Sequence, residues 1–208
     1  MATEKTKPTF VVEKRLLDAG YSRIAGIDEA GRGPLAGPVV AAAVILNPAD
    51  IIEGLNDSKM LSEKKRELLY DEIKSRAIAA ECSIVSHDAI NSTNILSATL
   101  TAMANAVRQI TPIPDFLLID GNQPIKSLLI IQDSIIDGDK HCVSISAASI
   151  IAKVTRDRLM KEYEKQYPGY GFAQHKGYGT KQHREAIQKL GPCEIHRVKF
   201  GGVKEYVV

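Results

Sequence analysis

The sequence predicts an α/β fold, a buried sheet core carrying a helical C-terminal appendage. Three observations lead there. Short apolar runs bounded by glycine or turn residues, at Ile24–Ile27, Val39–Leu46 and Phe116–Ile119, read as buried strands. Leu96, Leu100, Met103, Val107 and Ile110 recur at alternating steps of four and three, which marks one face of a core helix. From Tyr170 onward the chain is rich in His, Lys, Arg and Gly and holds one more amphipathic helix, about Lys181–Leu190, stopped by Gly191-Pro192.

In chain order, Met1–Pro8 reads as a disordered tail and Phe10–Ala19 as a short helix ended by Gly20. The first strand runs into Asp28 and Glu29, and a turn with Gly31, Gly33 and Gly37 leads to the second. So short a link makes the two strands antiparallel neighbours. Ser62 is an N-cap for a helix to about Ala80, with Glu72 and Arg76 spaced as an i,i+4 pair, and Glu81–Ser86 follows as a strand. One helix is expected over Ala89–Ile110, stopped by Thr111-Pro112. Phe116–Ile119 ends in Asp120-Gly121-Asn122, and Leu128–Ile131 reads as a further strand before the acidic loop Asp137-Gly138-Asp139. A last long helix runs from Ser144–Ser146 towards Tyr167. Its early turns are buried, and its later ones, including Arg156 and Asp157, are expected to emerge into solvent.

Composition narrows the class. A chain of 208 residues with 44% hydrophobic and 25% charged residues has the make-up of a globular protein with a proper core. Net charge is only +2, so any nucleic-acid surface must be local. Cys82, Cys142 and Cys193 are odd in number, widely spaced and without a CxxC, which argues against a disulfide framework or zinc site. The polar start MATEKTKPTF is unlike a signal peptide, and no apolar run nears the ~18 residues of a membrane span. A cytoplasmic protein is expected.

The chemistry gathers at strand ends. Asp28 and Glu29 close the first strand, Asp120 closes a second of the same design, and the Asp137/Asp139 loop offers a further acid. The Asp-Glu pair alone reads equally well as a solvated strand end. Four convergent carboxylates, however, make sense as oxygen ligands for Mg²⁺ or Mn²⁺, ions that support phosphodiester cleavage. The chain has no GxSxG elbow and no GxxxxGK[ST] loop. The glycines of Gly31-Arg32-Gly33, directly after the acids, would let a substrate approach the backbone.

Five runs, GIDEAGRGPLAGPVV, LNDSKMLSEKKR, LLIDGN, GD followed by SISAASIIAKVTRD, and FAQHKGYGTKQH, occur in an order that resembles bacterial ribonuclease HII over roughly residues 22 to 200. The resemblance implies an RNase H-like fold, a mixed central sheet flanked by helices. It implies residues 1–20 as tail and short helix, 21–168 as the catalytic core and 169–208 as a substrate-binding region of the same compact unit. The implied activity is cleavage of RNA in RNA/DNA hybrids and at single ribonucleotides in duplex DNA. Cleavage on the 5′ side of the ribonucleotide leaves 3′-hydroxyl and 5′-phosphate ends. By the same resemblance Asp28, Glu29, Asp120 and Asp139 are metal-binding catalytic acids, with Asp137 the close alternative to Asp139, and Asp157 is a surface or salt-bridge residue.

The resemblance also implies that Gly31, Arg32 and Gly33 clamp the 2′-hydroxyl through their backbone and that Tyr178 packs on the sugar. Lys59, Lys176, Arg197 and Lys199 are expected on phosphates, as are His175, His183 and His196, although a solvated role is the default for any one lysine. Only 27 residues precede Asp28, so the extra N-terminal domain of ribonuclease HIII is not expected. The tail FGGVKEYVV lacks a glutamine-plus-paired-aromatics motif, so sliding-clamp docking there is unsupported. With no heptad seam, a monomer is expected. Two competing readings are a nuclease of the same fold that ignores the 2′-hydroxyl, and a silent duplex-binding module.

Overall fold

Strand β1 (Ile24–Ala30) is the axis of the fold, because both of its edges are paired and both of its faces covered. In the computed structural model, which describes residues 7–207, β2 (Val39–Ile45) runs antiparallel to β1 with Ile27 opposite Ala43. On the outer side of β2 lies β3 (Ala79–Val85), also antiparallel. On the other side of β1, β4 (Phe116–Asp120) is parallel, with Ile27 beside Ile119, and β5 (Ile131–Ile135) continues parallel to β4. The order β3-β2-β1-β4-β5 makes a mixed sheet, with β3-β2-β1 antiparallel and β1-β4-β5 parallel, as the resemblance implies. Most of the predicted tail, Met1–Pro8, lies outside the described residues.

The run VVAAAVI of β2 is fully buried because helices cover both faces, and its alanines let them come close. On one face α4 (Ile95–Gln109) packs Ala98, Ala102, Met103 and Val107 against Ala25, Ile27, Ala41 and Ala43. On the other, α5 (Val143–Gln166) sets Ala147, Ala148 and Ile151 against Val40, Ala42 and Val44, with Leu69 and Ile73 of α2 (Glu63–Arg76) completing the layer. Helix α1 (Val11–Asp18) ties down the start of α5. The N-cap of α5, Cys142, makes no side-chain cap; instead the buried Glu13 accepts from the Ser144 N–H (2.9 Å) and Oγ (2.7 Å).

Several expected boundaries move. Helix α2 starts after the Ser62 cap as predicted but stops at Arg76, because Ala77 turns extended to feed β3. The Glu72–Arg76 pair forms, with Asp50 joining it. The single helix expected over Ala89–Ile110 is two, α3 (His87–Ser92) and α4. They are split at Thr93-Asn94, where Asn94 Oδ1 accepts the Ser97 N–H (2.9 Å) as a new N-cap. Leu96 is consequently exposed rather than core. The strand placed at Leu128–Ile131 lies instead at Ile131–Ile135, a polar edge strand. Arg156 and Asp157 of α5 are buried, not solvated, since α6 (Phe172–His175) and the C-terminal region cover that end. Helix α7 keeps its expected bounds, Lys181–Leu190, capped by Thr180. Among the described residues no helix is long and apolar enough to cross a membrane.

Candidate active site at the sheet edge

The parallel register that sets Ile27 beside Ile119 brings the next residues, Asp28 and Asp120, to the same edge of the sheet. Asp28 is buried at 5% exposure, and the Glu29 N–H donates to its Oδ1 at 2.6 Å. Asp120 Oδ1 accepts the Gly138 N–H at 2.7 Å, which folds the 137–140 loop over the strand end and turns Asp139 inward, 4% exposed. The alternative acid, Asp137, points to solvent and pairs with Lys140 at 2.9 Å, which holds its carboxyl below the usual range.

Electrostatics couples the buried acids. Burial first, then Glu29 and Asp120, push the Asp28 carboxyl well above the usual carboxylate range. Glu29 is raised by burial and by Asp120, against the pull of Arg32, whose Nη1 lies 3.5 Å from Glu29 Oε1. Burial raises Asp120 against hydrogen bonds from Gly138 and Asp139. Asp139 is pushed up to about 6 by burial, Asp57 and Asp120. Lys59 borders the set. Desolvation alone would lower its ammonium, but Asp57, Asp139, Asp28 and Asp120 outweigh it and raise it. Oxygen-only donors that resist ionising together are suited to a hard divalent cation, and Asp28, Glu29, Asp120 and Asp139 are the groups able to hold one. Among the described residues no three His, Cys, Asp or Glu groups are already closed into a metal cage.

Beside the acids, the loop from Gly31 to Pro38 presents Arg32 and Gly33 outward while its other residues are buried. The two outer glycines of Gly31-Arg32-Gly33 differ in what they demand. Gly31 has φ +102° and a Cβ there would sit 2.1 Å from Arg156 Nε, so the fold itself requires glycine. At Gly33 a Cβ would meet Tyr178 Cε1, at an ordinary 3.7 Å, so nothing among the described residues forbids a side chain. Tyr178 itself is 44% exposed.

The basic residues divide, and part of the expectation is corrected. Lys59 and Lys199 are exposed. Lys176 is buried and turned inward, its Nζ donating to the Ala173 carbonyl. Arg197 is fully buried and spends its guanidinium on the carbonyls of Gly31, Arg32, Pro34, Gly37 and Pro38. Neither meets a phosphate in this arrangement. The three histidines are also interior. His183 and His196 are hydrogen-bonded Nε2 to Nε2 at 3.1 Å, and His175 stacks on His183 with its Nε2 on the Tyr170 carbonyl at 2.7 Å. Burial lowers both His183 and His196 to about 4, so this pair is neutral. Asp157 is a salt-bridge partner as expected but a buried one, held by Lys153 at 2.6 Å and Arg66 at 3.7 Å.

Sequence reading passed over four neighbours of this site. Asp57 is buried beside Asp139, and its Oδ1 accepts the Lys59 N–H at 2.9 Å. Ser149 of α5 lies beside Asp28, whose carboxyl its hydroxyl pulls down against burial, and meets Ser58 Oγ at 2.9 Å. Arg156 lies under the Gly31–Pro38 loop. The run Asn56-Asp57-Ser58-Lys59 was legible as a loop but carried no sign that it folds back onto the acids.

A family model described as Ribonuclease HII matches residues 25–203. The chain is 58% identical over 198 residues to the ribonuclease HII of Citrifermentans bemidjiense, covering 95% of this chain and 86% of that one. Its structure is similar to that of ribonuclease H2 from Pyrococcus horikoshii OT3, with a TM-score of 0.75 and 25% identity over 89% of this chain and 97% of that one. It also resembles the crystal structure of Bst-RNase HIII in complex with Mn²⁺, with a TM-score of 0.65 over 90% of this chain and 70% of that one. At 21% identity that likeness speaks to the fold alone.

Proposed function

The chain belongs to the ribonuclease HII family and is a type 2 ribonuclease H, a nuclease and hydrolase; from that premise we propose how its own residues carry the reaction. The substrate is RNA in an RNA/DNA hybrid or a single ribonucleotide within duplex DNA. Asp28, Glu29, Asp120 and Asp139 would hold divalent ions, Mg²⁺ or Mn²⁺, and the role served is removal of ribonucleotides from DNA. When bound, such ions activate a water and stabilise the leaving oxygen. The water adds to the phosphorus on the 5′ side of the ribonucleotide, and the bond from phosphorus to the upstream O3′ breaks. The departing oxygen takes up a proton, leaving a 3′-hydroxyl and a 5′-phosphate.

Each group contributes by position. Gly138 holds the Asp120 carboxylate through its N–H, and the Glu29 N–H does the same for Asp28. Arg32 orients Glu29. The exposed backbone of Arg32 and Gly33 faces the ribose 2′-hydroxyl, and Tyr178 packs on the sugar beside it. Lys59 and Lys199 meet phosphates; Lys176 and Arg197 act from the interior instead. The observation that carries this reading is the adjacency of a buried carboxylate set to a loop that offers unspent backbone N–H groups at a glycine the fold does not require.

The test uses an end-labelled DNA duplex with one ribonucleotide and an all-DNA duplex of the same sequence, each with Mg²⁺ or Mn²⁺. One nick 5′ to the ribonucleotide, absent from the control and abolished by chelator, is the expected result. Cutting of both duplexes would replace this reading with that of a nuclease indifferent to the 2′-hydroxyl.

A further inference from the structure

Two arginines lie fully buried beneath the Gly31–Pro38 loop, at 0% and 1% exposure, and neither has a carboxylate partner among the described residues. Asp157, the acid adjacent to Arg156, is spent on Lys153 and Arg66. Isolated buried cations are costly, so both guanidiniums must be satisfied otherwise. The loop's carbonyls do this. Arg197 donates to Gly31 (2.6 Å), Arg32 (2.9 Å), Pro34 (2.8 Å), Gly37 (3.0 Å) and Pro38 (3.2 Å), and its own N–H donates to Leu35 (2.8 Å). Arg156 donates to Pro38 (2.9 Å), Ala36 (3.1 Å) and Lys176 (2.9 Å). From Gly31 to Pro38, every carbonyl except that of Gly33 is thus drawn to the interior.

The remaining backbone groups sort accordingly. Leu35 and Gly37 donate their N–H groups to Gly177 (2.8 Å) and Ile195 (2.9 Å), which pins the loop to the C-terminal region. The N–H groups of Arg32 and Gly33, on the exposed crest, have no acceptor among the described residues. A loop whose carbonyls point in and whose crest N–H groups point out is a donor surface, and the two cations beneath add a positive field. An oxygen-bearing anionic strand matches it. Through Lys176, Arg156 also anchors the turn that carries Tyr178, so both sides of the crest rest on one buried layer.

We propose that Arg197 and Arg156 are positioning residues for ribose recognition, fixing the Arg32 and Gly33 N–H groups as outward donors for the 2′-hydroxyl. This rests on the reading of Gly31-Arg32-Gly33 as the ribose-facing segment. Neither arginine touches substrate. Their removal therefore costs ribose discrimination rather than duplex affinity.

The experiment compares KM for the single-ribonucleotide duplex with the inhibition constant of the same duplex made wholly of DNA, in Mg²⁺. In the wild type the inhibition constant should exceed KM, and the ratio measures the ribose contribution. Arg197→Lys keeps the charge but loses the planar fork. We expect KM to rise about tenfold, toward the inhibition constant, while the inhibition constant stays put. Arg156→Lys, which spares Gly31 and Arg32, gives the same split at smaller size and serves where Arg197→Lys folds poorly. Both constants rising together, or a ratio unchanged in the two variants, overturns the proposal. A wild-type ratio near unity instead overturns the underlying ribose reading.

Discussion

Gly26 of β1 and Ser144 of α5 touch through their backbones: a Cβ at position 26 would lie 2.1 Å from the Ser144 carbonyl carbon and 2.3 Å from the Ile145 nitrogen. That approach lets α5 reach along the sheet so that Ser149 meets Asp28. Neither partner atom belongs to a flexible side chain, so Gly26→Ala has to separate helix from strand. Denaturant unfolding should show a loss of about 3 kcal/mol, at the upper end for overpacking. An unchanged midpoint would mean that the contact yields more easily than its geometry implies.

Asp139 makes the stability of the ion-free protein depend on pH. Its carboxyl is raised from 3.8 to about 6 by burial, Asp57 and Asp120, so the folded chain keeps this proton longer than the unfolded chain. The stability this group supplies is full below 3.8 and is lost as pH rises through about 6. Denaturant titrations in chelator should show a fall of which Asp139 supplies on the order of 2 kcal/mol, and Asp139→Asn should shrink it, the remainder coming from Asp28, Glu29 and Asp120, which burial also raises. Added Mg²⁺ should restore stability above the window and have little effect below it, since protons then occupy the ligands. A fall of undiminished size in Asp139→Asn would assign the whole of it to the other acids.

Gly33→Ala separates folding from recognition. The added Cβ meets Tyr178 at 3.7 Å and nothing closer, so thermal stability should stay within about 0.5 kcal/mol of wild type. Cleavage of the single-ribonucleotide duplex should nonetheless fall by about tenfold or more in kcat/KM, because the methyl group occupies the side from which the ribose approaches. Steady-state kinetics beside a melting curve checks both halves. Wild-type kinetics would show that the crest of the loop does not face substrate.

Much of this architecture could be read from the chain because its signals are local. An apolar run that ends in a carboxylate and a glycine is a strand reaching a sheet edge, and that marked Asp28, Glu29 and Asp120 before any fold was known. The antiparallel pairing of β1 with β2 and the bounds of α7 followed from similarly local cues, whereas the mixed sheet came with the family resemblance. What failed depended on distant partners. The edge strand β5, reading IQDSI, is polar and largely exposed, so no apolar pattern announced it. The break between α3 and α4 lies just ahead of the apolar periodicity that begins at Leu96, in the polar run Asn91-Ser92-Thr93-Asn94, which holds no glycine or proline to mark a stop. Arg156, Arg197, His183 and His196 were placed near solvent by residue type. Their burial is decided by partners elsewhere, as when Arg197 serves carbonyls 159 to 166 residues away.

The measurement that bears most directly on the central claim is cleavage of the single-ribonucleotide duplex by the wild type and by Asp28→Asn, across a titration of Mg²⁺ and of Mn²⁺. The duplex is labelled so that the cut site and both new ends are identified. Wild-type protein should give one metal-dependent nick on the 5′ side of the ribonucleotide, with 3′-hydroxyl and 5′-phosphate ends. Asp28→Asn should lose it by several orders of magnitude while remaining folded. A nick that survives chelator, or full activity in Asp28→Asn, would contradict the account, because the buried carboxylates could then not be the groups that hold the ions.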